Sequence, residues 1–72
     1  MTLTMGEKIK IVLKRRGLTI AQLAELTGQT RQNLSNKLSR DNFTEKEIDE
    51  IAKALNCDYE AHLTMRDTGD TI

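Results

Sequence analysis

The chain has 72 residues, no proline or tryptophan, one Phe and one Tyr, and 11 Lys or Arg balanced by 11 Asp or Glu. That length allows one small domain, and a core of this size leaves little stability in reserve, so dimerisation would help it. The single cysteine, Cys57, excludes an internal disulfide framework and a Cys-based zinc site; its plain role is that of a small buried hydrophobe in a reducing cytosol.

The opening segment "MTLTMGEK" does not read as a signal peptide, and no stretch approaches the roughly 20 apolar residues of a membrane span, so a cytoplasmic location is expected, with no membrane partner. The charges are not evenly spread. Residues 1–42 carry eight Lys or Arg against three acids, and residues 43–72 carry three against eight. One half of the molecule is thus suited to an anionic partner and the other is not.

Helix starts are marked by Ser or Thr followed three residues later by Glu or Gln, because the two side chains satisfy orphan backbone N–H groups reciprocally. Thr4 with Glu7 opens "MGEKIKIVLKRR", whose apolar stripe is Met5, Ile9, Val12 and Leu13. Gly17 closes it in the left-handed conformation common after helix ends. Thr19 with Gln22 opens "IAQLAELT", with Ile20, Leu23 and Ala24 inward and Gly28 as the closing residue.

Thr30 caps a third helix through about Ser39, anchored by only two apolar residues, Leu34 and Leu38. Thr44 with Glu47 opens "EKEIDEIAKAL", where Ile48, Ile51, Ala52 and Leu55 follow helical spacing and Asn56 can close the helix. Lys46, Asp49, Glu50 and Lys53 fit a solvated face, and the acidic start suits the helix dipole. After Asn56 the period becomes two. Tyr59, Ala61, Leu63 and Met65 alternate with Glu60, His62, Thr64 and Arg66, the pattern of a strand with one buried face, followed by a turn at "DTGD".

A short helix, a Gly turn and a second helix define a helix-turn-helix, whose second helix enters the DNA major groove. At 100° per residue, with Leu34 and Leu38 inward, Gln32 and Asn36 point almost directly outward. Gln29, Asn33, Ser39 and Arg40 lie on the outer half and Ser35 at the side. Arg31 is nearer the inner side but sits in the first turn with a long reach. Gln and Asn can pair bidentately with adenine and Arg with guanine. A helix exposed only for solubility would more often show Glu and Lys pairs.

The segments "LKRRGLTIAQLAELTGQTRQNLSNKL" and "FTEKEIDEIAKALNC" resemble the phage-repressor and Cro type of helix-turn-helix regulator, the lambda-repressor-like or xenobiotic-response-element type. The resemblance covers about residues 5–57 and rests on the order of four helices and their loop lengths. It implies that Thr30, Arg31, Gln32, Ser35 and Asn36 face DNA bases or nearby phosphates. It also implies that the start of the second helix, around Thr19 and Gln22, meets a phosphate. Lys14, Arg15, Arg16, Lys37 and Arg40 suit phosphates by charge and position. The sequence departs from the family in three ways. Ile20 stands where phage members often carry a backbone-gripping Gln. Leu13 and Leu38 stand where some carry an Arg–Glu pair. A strand replaces the usual fifth helix.

The expected fold is mainly α: a four-helix lambda-repressor-like helix-turn-helix core over residues 1–57, with a C-terminal strand or short hairpin over residues 58–72. The expected function is that of a sequence-specific DNA-binding transcriptional regulator, a dimeric repressor on double-stranded DNA. The candidate DNA-binding residues are Thr19, Gln22, Gln29, Thr30, Arg31, Gln32, Asn33, Ser35, Asn36, Lys37 and Arg40. The candidate dimerisation residues are Tyr59, Ala61, Leu63 and Met65, through antiparallel strand pairing about a two-fold axis. The alternatives are the antitoxin of a toxin–antitoxin pair and a helical interaction module that binds no DNA. His62 stands alone and no nucleophile–base constellation can be assembled, so neither enzyme activity, metal, cofactor nor small-molecule ligand is expected.

Overall fold

The structure, a computed structural model, describes residues 2–72 and contains four α-helices: α1 (Met5–Arg16), α2 (Ile20–Leu26), α3 (Arg31–Arg40) and α4 (Glu45–Ala54). Each starts at a threonine whose hydroxyl accepts an N–H from the third helical residue: Thr4 from Glu7, Thr19 from Gln22, Thr30 from Asn33 and Thr44 from Glu47. In α1, α2 and α4 the third residue returns the bond, so the three expected capping boxes are all formed.

Helix ends follow one device as well. Gly17, Gly28, Asp41 and Asn56 all have positive φ just past α1, α2, α3 and α4. After α2, the Gln29 N–H reaches back to the Ala24 carbonyl at 2.9 Å and the Gly28 N–H to Glu25 at 3.2 Å. This turn reverses the chain in four residues, and φ of +71° at Gly28 is a conformation that a Cβ disfavours.

The core is one cluster of Ile9, Leu13, Leu23, Ala24, Leu34, Leu38, Ile51 and Leu55, with Met5, Val12, Leu18, Ile20, Phe43, Ala54 and Cys57 packed around it. Leu23 and Leu34, one from each helix of the helix-turn-helix, are its two fully buried large side chains. Leu13 and Leu38 are both buried, so an apolar contact region stands where a charged pair would have to be desolvated. Cys57 is only half-buried, and its sulfur lies 3.8 Å from the Arg16 guanidinium.

The start of α1 meets the end of α3 without an intervening side chain. The Gly6 N–H donates to Asp41 Oδ1 at 2.8 Å, and a Cβ on Gly6 would fall 2.7 Å from the Leu38 carbonyl oxygen. Asp41 therefore ends α3 with its backbone and caps α1 with its carboxylate.

The tail does not match the expected strand. Among the described residues there is no strand; an isolated antiparallel bridge joins Thr64 to Thr71. Backbone bonds between Leu63 and Ile72, in both directions at 3.0 and 2.9 Å, close a small hairpin around Gly69. A single bridge is not a ladder, so the hairpin is held by isolated backbone bonds rather than by paired strands. The expected buried face is not formed either. Leu63 is 77 % exposed and Met65 44 %, Ala61 is exposed, and only Tyr59 of the four candidate dimerisation residues is half-buried. Alternation in the sequence marks side-chain direction, but burial requires a second surface that covers these side chains, and here only Tyr59 is partly covered.

The α1–α3 junction yields a prediction. Alanine ordinarily stabilises a helix by about 1 kcal/mol over glycine. At residue 6 the obstacle is backbone rather than a flexible side chain. Gly6→Ala should therefore destabilise the protein, by about 1–3 kcal/mol, measured by urea unfolding. An unchanged or raised midpoint would show that the two helices are not in this close contact.

Candidate nucleic-acid interface

Leu34 and Leu38 bury one side of α3, which fixes what the opposite side shows. Arg31, Gln32, Asn33, Asn36, Ser39 and Arg40 are exposed, and Ser35 is half-buried at the flank. The outward amides are not independent. Gln32 Nε2 donates to Asn36 Oδ1 at 3.1 Å, one turn along the helix. Asn33 Nδ2 donates to Gln29 Oε1 at 2.9 Å, and Gln29 Nε2 donates to Thr27 Oγ1 at 2.9 Å. Linked amides hold each other's orientation, leaving Gln32 with a carbonyl and one N–H, and Asn36 with its amino group, free to face outward.

The site residues read from the sequence thus fall into three groups. Gln32, Asn36 and Arg40 share the outer face of α3, with Ser35 at its flank, Arg31 exposed in its first turn and Thr30 at its N-cap. Gln29, Asn33 and Lys37 form a stripe at four-residue spacing along one side. That stripe borders a cleft of about 170 Å³ shared with Thr27, Glu47, Glu50 and Ile51. Thr19 and Gln22 lie at the start of α2, exposed but engaged with each other through the capping box, at 2.8 and 3.1 Å.

Two cations have partners that sequence alone did not reveal. Lys37 forms an ion pair with Glu47 of α4, each side chain 28 % exposed. The Arg16 guanidinium donates to the Asn56 carbonyl at 3.2 Å, across 40 residues, so it closes the C-terminal end of α4. Lys14, Arg15, Arg31 and Arg40 remain exposed. Asp49 and Lys53 pair at 3.0 Å on the open side of α4, an exposed i,i+4 contact of little energetic weight. His62 is exposed, 3.5 Å from Glu60, and no group of three potential metal ligands occurs among the described residues.

Glu47 was recognisable as a capping residue, but its second partner was not. Its Oε1 accepts the Thr44 N–H at 3.2 Å and the Thr44 hydroxyl at 3.0 Å, while Oε2 accepts from Lys37. The Lys37 ammonium, with the Thr44 N–H behind it, holds the Glu47 carboxyl below the usual carboxylate range. In α1 the Thr4 N–H does the same for Glu7.

A polar, amide-rich helix on a two-leucine anchor, presented by a second helix through a tight turn, is the geometry of a DNA-reading helix-turn-helix. A family model described as a Cro/C1-type HTH DNA-binding domain matches residues 8–60, which include all of α2, α3 and α4 and most of α1. The chain therefore belongs to the Cro/C1-type helix-turn-helix family, and is a DNA-binding regulator of that type. No curated protein and no solved structure matches it. Among the described residues no helix is long and apolar enough to cross a membrane.

The Glu47 environment sets a pH dependence. A carboxyl whose pKa is lower folded than unfolded stabilises the fold above its unfolded value, near 4.3. That contribution disappears as pH falls through the lower folded value. Glu47→Gln keeps an acceptor for the capping box but cannot titrate. Melting followed by circular dichroism from pH 7 to pH 3 should show a smaller loss of Tm for Glu47→Gln than for the wild type. Equal losses would mean that the Glu47 contacts do not favour its charged form.

Proposed function

We propose that this regulator is a sequence-specific repressor that works by occupying an operator, with α3 in the major groove. The observation that carries the reading is the outward face of α3, where Gln32 and Asn36 are coupled amides rather than solvating Glu and Lys pairs. Amides of this kind pair with adenine edges, and Arg31 in the first turn suits guanine. Arg40, Lys14 and Arg15 supply charge for phosphates, with Asn33, Ser35, Thr30 and the α2 start at Thr19 and Gln22 as polar neighbours of the backbone. Lys37 belongs to the same surface but carries its own counter-charge.

The regulator works as a dimer in this reading, so that two α3 helices sit about one helical turn, ~34 Å, apart on a pseudo-palindrome. The exposed apolar side chains of Leu63, Met65 and Ile72 on the hairpin support it, because a small single core gains from their burial. Sedimentation of the full chain should give twice the monomer mass, and Leu63→Asp with Met65→Asp should give the monomer with its helical signal intact. Dimers that persist in that variant would place the interface elsewhere.

Reading and holding separate by mutation and salt. Gln32→Ala and Asn36→Ala should each cost about 1–3 kcal/mol on the preferred site and relax its sequence. Arg40→Ala should weaken all sequences about equally. With about four phosphates neutralised per subunit, log K against log salt should slope by about −3 to −4. No binding at low salt to random or selected duplexes would refute the reading, as would a site preference untouched by both amide substitutions in a folded protein.

A further inference from the structure

We propose that Glu47 is an internal competitor for the DNA backbone: it occupies Lys37 in the free protein and so limits how tightly every duplex is held. This rests on the reading of α3 as the DNA-facing helix.

The two side chains have unequal freedom. Glu47 is tied to Thr44 through both the backbone N–H and the hydroxyl, as part of the box that starts α4. Its carboxylate cannot leave without uncapping the helix. Lys37 sits on a flexible four-carbon stem and carries three donors on its ammonium. A phosphate reaching this side of α3 therefore draws Lys37 away from a fixed partner. It must exchange one anion for another, leaving a bare carboxylate beside the DNA.

Position supports the assignment. Lys37 continues the stripe of Gln29 and Asn33, so its stem leaves α3 on the flank of the amide face, while Leu34 and Leu38 hold the opposite side in the core. The cleft that Lys37 and Glu47 share is lined by Thr27, Gln29 and Asn33, the residues that flank the turn into α3. Glu50 also borders it, so two carboxylates of α4 face a side of the recognition helix. A chain with zero net charge holds its grip on DNA in few cations. Pairing one of them internally lowers affinity for all sequences alike, because a phosphate contact carries no base information.

Glu47→Gln retains an acceptor for the Thr44 box and releases Lys37. It should bind random and selected duplexes alike about five- to ten-fold more tightly near 0.1 M salt, with the salt slope steeper by about 0.9. Lys37→Gln in the wild-type background should move that slope by less than about 0.3, since the paired ammonium releases no net counterion. In the Glu47→Gln background the same change should remove the whole gain of about 0.9. The Lys37→Gln arm in the wild type reads the paired state even if Glu47→Gln proves unstable. A slope that falls by about 0.9 on Lys37→Gln alone would show that Lys37 grips phosphate freely and would overturn the proposal. So would a tightening by Glu47→Gln that survives in the Lys37→Gln background, which would be general charge repulsion, or an affinity unchanged or weakened by Glu47→Gln. Absence of DNA binding by wild type and variants together would instead refute the assignment of α3 to DNA.

Discussion

The burial of Leu23 with Leu34 is the contact on which the rest of the structure depends. These leucines come from the two helices of the helix-turn-helix, and each is completely withdrawn from solvent. Helix α3 has only one other buried residue, Leu38, so its rotation about its own axis is set by two side chains a turn apart. Removing either would cost about 2–5 kcal/mol, a large part of what a domain of this size possesses. The polar outer face follows from the same constraint: once the leucines are inside, Gln32 and Asn36 can only be outside.

Around that contact the ends of the helices are tied to one another. Asp41 finishes α3 and caps α1, and the absent Cβ of Gly6 lets the two helices meet backbone to backbone. Arg16 at the end of α1 closes the end of α4, and Lys37 of α3 reaches the capping residue of α4. Local devices that stop and start helices thus also hold α3 against its neighbours. Arg16 and Lys37 are engaged in these ties, while Lys14, Arg15, Arg31 and Arg40 stay exposed without one. The amides of Gln32, Asn36, Gln29 and Asn33 restrict one another's rotamers through their mutual hydrogen bonds.

Most of the fold was legible because its determinants are local. The Thr-x-x-Glu and Thr-x-x-Gln boxes, Gly17, Gly28 and Asn56 mark six of the helix boundaries within a residue or two, and the apolar stripes name the core. The left-handed Asp41 was not legible, since a carboxylate in that conformation is justified by a bond to Gly6, 35 residues away. The partners of Lys37 and Arg16 escaped for the same reason: charge and position suited phosphates, while the structure supplies acceptors on α4 and just past its end. The tail shows the limit of periodicity. Its alternation is real, yet Leu63 and Met65 stay exposed, and the backbone closes a single bridge instead of a strand. The exposure of Gln32 and Asn36 was legible because one helix and two buried leucines determine it.

The central claim is that this outer face is what touches DNA. It is tested most directly by titrating isotope-labelled protein with a selected duplex and following the backbone and side-chain amide resonances by NMR. The account predicts that the amides of Gln32 and Asn36 shift most, with those of Gln29 and Asn33 following, while Asp49 and Lys53 on the open side of α4 stay still. Shifts centred on α4 or on the hairpin, with Gln32 and Asn36 unmoved in a complex that forms, would contradict it.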